Sequence, residues 1–537
     1  MKKFKAILAL ILVVCLFVTL FAACAKNDET PNTNTNTNTN TNTNTNTDSE
    51  DKDPADDEGG ETAVDPGEES LVPFDEEIEL KVVLYDMRST GGDYGDAVEE
   101  AANKITKEAL NVVCDYIWVS PGDWKSKVDV ALSSGERFDV MNLSPRTRVT
   151  ALYPQGLLTP IDEYIADYAS EAYELTKEYV GTYTFDGNVY GFPTLRDYSE
   201  FAGITMRTDI LEELNLVEQA KAMKTWSDYE EILKIVYENV TAKGGMAAIG
   251  MSYPYGSYLY NENDNFADSH AIDILGDALS IIYGDQETGE VKLVMKSDGY
   301  KFGMEYANKW WDAGYYWADS PITTEFVDDA MAQHLFFSQI HSAENGIEVA
   351  KEGAMGFDLT FVKVNNGMVR TEQPVFTGIC VPVTCEEPEA AVAFINELYT
   401  NAELMNVLVW GVEGRDYTLE NNQVVHNPDG GYIGVDFVWG NNFLLKAEFG
   451  QSADFYEIAQ RNNKESAISA FMGFALDTAD MDLLLSQLTT VTDEYAKIIP
   501  YGGMDQLDEY ISALETAGVN DYIDAIQKQL DAWSAAQ

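Results

Sequence analysis

The chain has 537 residues and sets 91 Asp and Glu against 34 Lys and Arg, a formal net charge of −57. Nucleic acid and anionic membrane surfaces are held through Lys and Arg, so both are poor partners for it. Five Cys and four His supply neither a disulfide framework nor an HExxH-type cluster, and no metal or cofactor is expected.

Lys2, Lys3 and Lys5 precede an unbroken apolar run from Ala6 to Phe21, and Ala22-Ala23-Cys24 closes it. A basic start, an apolar core and small residues at the cut site form a secretory signal. A Cys at the first mature position resembles the lipobox of bacterial lipoproteins. The resemblance implies removal of residues 1–23, lipidation of the Cys24 thiol and a two-chain anchor on the extracytoplasmic face of the cell membrane. The alternative is a transmembrane helix, but about 17 apolar residues barely span a bilayer, and a polar tract follows at once.

Residues 24–75 read as a tether. Asn-Thr repeats run from Asn32 to Thr47, and an acidic stretch from Asp48 to Glu61 follows. Nothing there builds a core, and such a chain has an end-to-end distance of roughly 40 Å. About 460 residues remain, too many for a single hydrophobic core.

Leu80 to Tyr85 reads as a buried strand. Val98, Ala101, Ala102, Ile105 and Ala109 mark one face of a helix. Val112–Val119 is a second strand, Trp124–Leu132 a helix, and Asp139–Leu143 a third strand. Alternating strand and helix indicates an α/β lobe with a parallel sheet. Further on, Ser227 and Glu230 fit a capping box for a helix through Tyr237. Trp310 and Trp311 share a helical pattern with Phe302 and Tyr306 and read as core. Pro388 suits a first helical turn. Val519, Ile523, Ile526, Leu530 and Trp533 form one apolar face of a terminal helix. Cys114, Cys380 and Cys385 are expected as free thiols, with a Cys380–Cys385 bridge as the lesser option.

Several segments together resemble the family 1 extracellular solute-binding proteins of ABC-type carbohydrate importers, in the lipoprotein branch with an extra C-terminal domain of unknown function. They are Ser133–Val140, Gly156–Asp162, Asp186–Pro193, Lys224–Tyr229, Trp410–Tyr417 and Phe471–Phe474. Arg137-Phe138 stands where the family usually carries a Pro-containing pair. The resemblance implies a periplasmic-binding-protein-like type II α/β fold, with two lobes joined by a hinge and a ligand cleft between them. Lobe 1 is expected over 76–192 plus 378–425, and lobe 2 over 193–377 plus 426–537. Lobe closure would trap an oligosaccharide or related small sugar, and the liganded form would dock on the membrane permease of an importer. A monomer that binds and does not catalyse is expected. An anchored polysaccharide-active enzyme and a binder of a non-sugar ligand such as a peptide are the alternatives.

Sugars present apolar ring faces and many hydroxyls, so their sites combine aromatic rings with Asp, Glu, Asn or Arg. Strand ends and hinge loops are the places to look. The candidates are Asp86 and Arg88 past the first strand, Ser144 past the third, and Arg196, Asp197 and Tyr198 after the segment resembling a hinge. Glu372 and Thr377 precede the returning strand. Tyr255 sits in a ring-dense loop, and Trp439 follows the strand-like run Gly434–Val438.

Overall fold

The computed structural model describes residues 73–537 except 89, 145–146, 251–262, 324–325, 344–345, 348–350, 353–354, 479 and 537. Cys24, the signal and nearly all of the expected tether, together with Tyr255, lie outside the described residues.

Strand β1 (Ile78–Tyr85) ends in four consecutive buried residues, as a strand covered on both faces does. Helix α1 (Gly91–Leu110) follows and closes on Asn111 in the left-handed conformation, φ 62°. Strand β2 (Val112–Val119) returns parallel to β1 along its whole length. A helical stretch over residues 125–134 leads to β3 (Val140–Leu143), parallel to β1 on its other side. Strand β4 (Gly191–Pro193) ends this first pass.

The second pass holds β5 (Phe201–Arg207), α2 (Trp226–Asn239), β6 (Ala247–Ile249), α3 (Asp298–Asp312), β7 (Phe336–Ala343) and β8 (Leu359–Lys363). The chain then returns through β9 (Met368–Val369), β10 (Gly378–Cys380), α4 (Pro388–Thr400) and α5 (Ala402–Trp410). It finishes with α6 (Phe455–Glu465), β11 (Ala467–Ile468), α7 (Asp482–Tyr495), α8 (Leu507–Thr516) and α9 (Val519–Ala536).

Two sheets result. One has the order β2–β1–β3–β10–β4, with β10 antiparallel to both neighbours. The other has the order β8–β5–β7–β6. Each sheet anchors its own core. The first core draws on Leu80 to Tyr198 and on Val369 to Tyr456. The second draws on Ala202 to Val364 and on Phe471 to Leu530.

The chain therefore crosses between cores three times, near residues 199–201, 365–368 and 457–470. The crossings run side by side. Glu200 bridges Met368, and β9 pairs in parallel with β11. The expected lobe changes are at 192/193, 377/378 and 425/426, and the third differs most from the crossing found. Residues 426–456, expected in lobe 2, place Tyr432, Val435, Val438, Trp439 and Leu445 in the first core. Their apolar side chains cover the helical layer of the first sheet, which is the nearest apolar surface.

Local signals came through with one shift of register. The capping box of α2 uses Thr225 and Asp228, not Ser227 and Glu230. Thr225 Oγ1 accepts from the Asp228 N–H at 3.0 Å, and Asp228 Oδ2 accepts from the Thr225 N–H at 3.0 Å. Trp226 is thus the first helical residue, and it is buried. Glu230 instead pairs with Lys309 at 2.7 Å. Trp310 is fully buried and Trp311 packs edge-on to Tyr501 at 5.3 Å. The three thiols are free, with Cys114 and Cys380 buried. Among the described residues no helix is long and apolar enough to cross a membrane.

Candidate functional site

β1 and β3 end on the same edge of the first sheet, since they run parallel. That edge meets the first crossing and the segment after α5. A pocket of about 220 Å³ opens there, lined by Arg196, Asp197, Phe376, Asp436, Phe437, Asn442, Phe455, Tyr456 and Ala459.

Phe376 is its centre. The ring follows a short helix, Glu372–Val375, and two guanidinium groups flank it. The Arg148 and Arg196 Cζ atoms each lie 5.7 Å from its centroid. Phe437 stands 6.4 Å away, tilted by 43°. Thr377 fixes that spacing, because its hydroxyl donates to the Phe437 carbonyl at 2.6 Å. Asp436 accepts from the Phe437 N–H at 2.9 Å. Burial pushes the Asp436 carboxyl above its ordinary range, and the Arg88 charge acts in the opposite direction. Arg196 Nε and Asn442 Oδ1 are buried with no partner among the described residues. Unpaired buried polar atoms facing a pocket are costly unless something else fills their valence.

The lining of the pocket comes from the first lobe and the third crossing, and the second lobe approaches it nearby. A crevice of about 40 Å³ sets Arg148 and Thr150 against Leu275, Gly276 and Leu476 of the second lobe, with Glu372 in its wall. Gly346, just past β7 of the second sheet at φ +75°, approaches Phe455 so closely that a Cβ there would come within 2.5 Å of the ring. A larger groove of about 800 Å³ runs between α1 and α5. It opens beside the C-terminal half of α1, at the opposite end of the sheet from the strand ends, and Tyr417 is its one aromatic lining residue.

The structure sorts the sequence candidates by what holds each side chain. Arg196 and Asp197 line the pocket. Arg88 is exposed beside it, acting on Asp436. Asp86 accepts from the Thr90 and Gly91 N–H groups at 3.3 and 3.0 Å and so anchors the start of α1. Ser144 is buried in a tight turn with Thr147. Glu372 pairs with Arg370 at 3.0 Å, and burial pushes its carboxyl up to about 7 against that pairing.

Three expectations are corrected. Tyr198 is fully buried, its hydroxyl bonded to the Thr194 carbonyl and its ring edge-on to Tyr179 at 4.9 Å. It offers no stacking face, because the turn that exposes Arg196 and Asp197 sends the next side chain into the core. Trp439 is 2 % exposed and belongs to the first core, so its ring is not offered to a ligand. Gly434–Val438 is not a strand, and its end is a 3-10 turn, Asp436–Val438. Thr377 acts as a brace rather than a ligand group. Sequence reading missed Arg148, Phe376, Asp436, Phe437 and Phe455. The Phe376 ring lay within the stretch singled out before β10, but no periodic pattern marked it.

Comparison with known proteins agrees with this architecture. Residues 100–410, more than half of the chain, match the bacterial extracellular solute-binding protein family. Residues 470–535 match a domain of unknown function, DUF3502. A carbohydrate ABC transporter substrate-binding protein of Streptococcus pneumoniae is 21% identical over 456 residues, covering 82% of this chain and 89% of the relative. The crystal structure of an N-glycan transport solute-binding protein, NgtS, from S. pneumoniae superposes with a TM-score of 0.68 at 18% identity, covering 85% of this chain and 98% of the other. A solute-binding protein from Bifidobacterium longum infantis, described as binding human milk oligosaccharides (HMO), superposes at 0.58 with 16% identity, covering 85% and 99%. The fold is the two-lobed, periplasmic-binding-protein-like type II α/β fold. With that fold and the matched residues together, the chain belongs to the family of bacterial extracellular solute-binding proteins.

Proposed function

We propose that the protein is the sugar-capturing component of an ABC importer. Its ligand is an oligosaccharide or related small sugar, held in the Phe376 pocket and passed to a membrane permease. The observation that carries this reading is Phe376, a ring lining the pocket with two guanidinium groups 5.7 Å from its centroid and Phe437 beside it. An apolar face bordered by fixed donors and acceptors matches the alternating faces and hydroxyls of a pyranose. The named functions of the relatives from S. pneumoniae and B. longum support it.

Binding would work by differential affinity. A ligand touching Arg196 and Phe376 on one side and the second lobe on the other favours the closed arrangement by the contacts it gains there. The three crossings, tied together by β9 and β11, are the part about which the lobes would turn. The role is binding, without a chemical step. Lipidation at Cys24 would hold the monomer on the outer face of the membrane, within reach of its permease.

A thermal-shift screen against a glycan panel tests the reading, since a ligand at a hundred times its Kd adds about 2.7 kcal/mol of stability. At least one oligosaccharide should raise the melting temperature of the wild type, and Phe376→Ala should clearly reduce the rise. A panel in which only peptides shift the melt would replace the reading with a non-sugar one.

A further inference from the structure

We propose that the sugar taken by this cleft is acidic, with its carboxylate received by Arg148 and Arg196 beside the face of Phe376. This rests on the sugar-binding reading above and narrows its substrate class.

The arginines divide by whether a carboxylate pairs with them. Arg137, Arg207, Arg370 and Arg415 each sit next to a carboxylate, at 3.0, 2.6, 3.0 and 3.7 Å. Among the described residues no ion pair engages Arg148 or Arg196. Arg88 and Arg461 share that state, but both are exposed, and Arg88 borders the same pocket through Asp436. The chain has 91 carboxylates to 34 basic residues, so two half-buried guanidinium groups without a carboxylate are not what composition alone would give.

The nearby carboxylates are already engaged. Asp197 accepts from the Ser199 N–H at 2.9 Å, Asp436 from the Phe437 N–H at 2.9 Å, and Glu372 pairs with Arg370. Arg196 lines this pocket and Arg148 the adjoining crevice, both against the Phe376 ring.

Their geometry suits a carboxylate. Arg148 and Arg196 come from different segments, yet each stands 5.7 Å from one ring. The ring contact orients a planar guanidinium and leaves its N–H edge available. Arg196 Nη1 spends one donor on the Asp197 carbonyl at 3.1 Å, while its buried Nε has no partner. Paired N–H groups of this kind bind a carboxylate in a bidentate manner, more strongly than they bind a neutral hydroxyl. Phe376 would take the sugar's apolar face as the carboxylate meets the arginines. Uronate-containing and sialylated oligosaccharides carry that combination.

Calorimetric titration of the full-length protein with matched ligand pairs is the test. Oligogalacturonates, hyaluronan tetrasaccharide and sialyllactose are each compared with their carboxyl-reduced forms. At least one acid should bind more than about tenfold tighter than its reduced partner, and the margin should shrink between ~50 and ~500 mM salt. Arg148→Met should remove most of that margin, weakening the acid far more than its reduced partner. The Arg148 side chain makes no hydrogen bond among the described residues, so this variant serves even if Arg196→Met, which loses the bond to the Asp197 carbonyl, does not fold. Equal affinities within every pair overturn the acidic assignment and leave the sugar reading standing. So does an Arg148→Met effect that weakens neutral and acidic ligands alike. Absence of binding by any glycan, acidic or neutral, overturns the sugar reading and this inference with it.

Discussion

Asn463, on the third crossing, grips the turn that carries Arg196 from both ends of its amide. Its Oδ1 accepts from the Tyr198 and Ser199 N–H groups at 2.8 and 3.1 Å, and its Nδ2 donates to the Arg196 carbonyl at 2.7 Å. The side chain is 4 % exposed. Asn463→Leu strands the Tyr198 N–H and the Arg196 carbonyl, while the Ser199 N–H keeps Asp197, and should cost about 2–3 kcal/mol. Asn463→Asp keeps both acceptor bonds and should cost less, about 1–2 kcal/mol. Chemical denaturation of both variants measures the difference. Ligand affinity should fall in both, because the Arg196 turn loses its anchor. Identical stability in the two variants would show that the amide does not hold the turn.

Tyr198 and Phe376 separate core from site. Tyr198→Ala removes a fully buried ring and should destabilise the fold by about 3–5 kcal/mol. Phe376→Ala removes a half-buried ring at the pocket and should change stability by less than about 1 kcal/mol while weakening sugar binding by about 1–2 kcal/mol. Denaturation and calorimetry on the same preparations decide. A stable Tyr198→Ala protein with lost affinity would return Tyr198 to the site.

The start of α2 gives a sharper local test. Thr225→Ala removes the capping acceptor and should cost about 1 kcal/mol. Ser227→Ala should be close to neutral, since the Ser227 side chain makes only a 3.4 Å contact with the Tyr306 hydroxyl. Melting temperatures of the two variants check the register, and the reverse order would contradict it.

Glu372 sets a pH dependence. Burial raises its carboxyl from 4.5 to about 7, while Arg370 acts to lower it. A folded-state value above the unfolded one means that the native protein binds the proton more tightly. The stability it contributes is fully present below 4.5 and is lost as pH rises through about 7. Glu372→Gln removes this term. The melting temperature of the wild type should therefore fall further than that of the variant between pH ~5 and ~8. Parallel curves would show that Glu372 is ionised throughout the range.

Sequence legibility followed the range of the interactions involved. β1, β2 and α1 were readable because buried positions recur at the spacing of each element, and Val98 and Ala102 are indeed fully buried. The pocket was less legible. It is built from residues near 148, 196, 376, 436 and 455, and no periodicity links positions so far apart. Arg196 and Tyr198 show the local limit. They are two residues apart, yet a turn rather than a strand separates them, so one faces the pocket and the other the core. Trp439 was misplaced for a related reason. Its segment follows lobe 1 helices in sequence but precedes the third crossing, and only tertiary packing decides which core receives it.

The triple crossing also has a consequence for assembly order. Strand β10 fills the gap between β3 and β4, and the Cys380 thiol approaches the Met141 carbonyl across 239 positions of chain. Until residue 380 is available, β3 has an open edge and β4 has no neighbour in that sheet. The second core is not complete until Leu530 packs. Neither half can reach its final form from one uninterrupted stretch, so closure of both depends on contacts distant in sequence, the class that forms slowly. A nascent or exported chain of this design stays unfinished, and exposed to proteases and self-association, until almost its last helix has emerged.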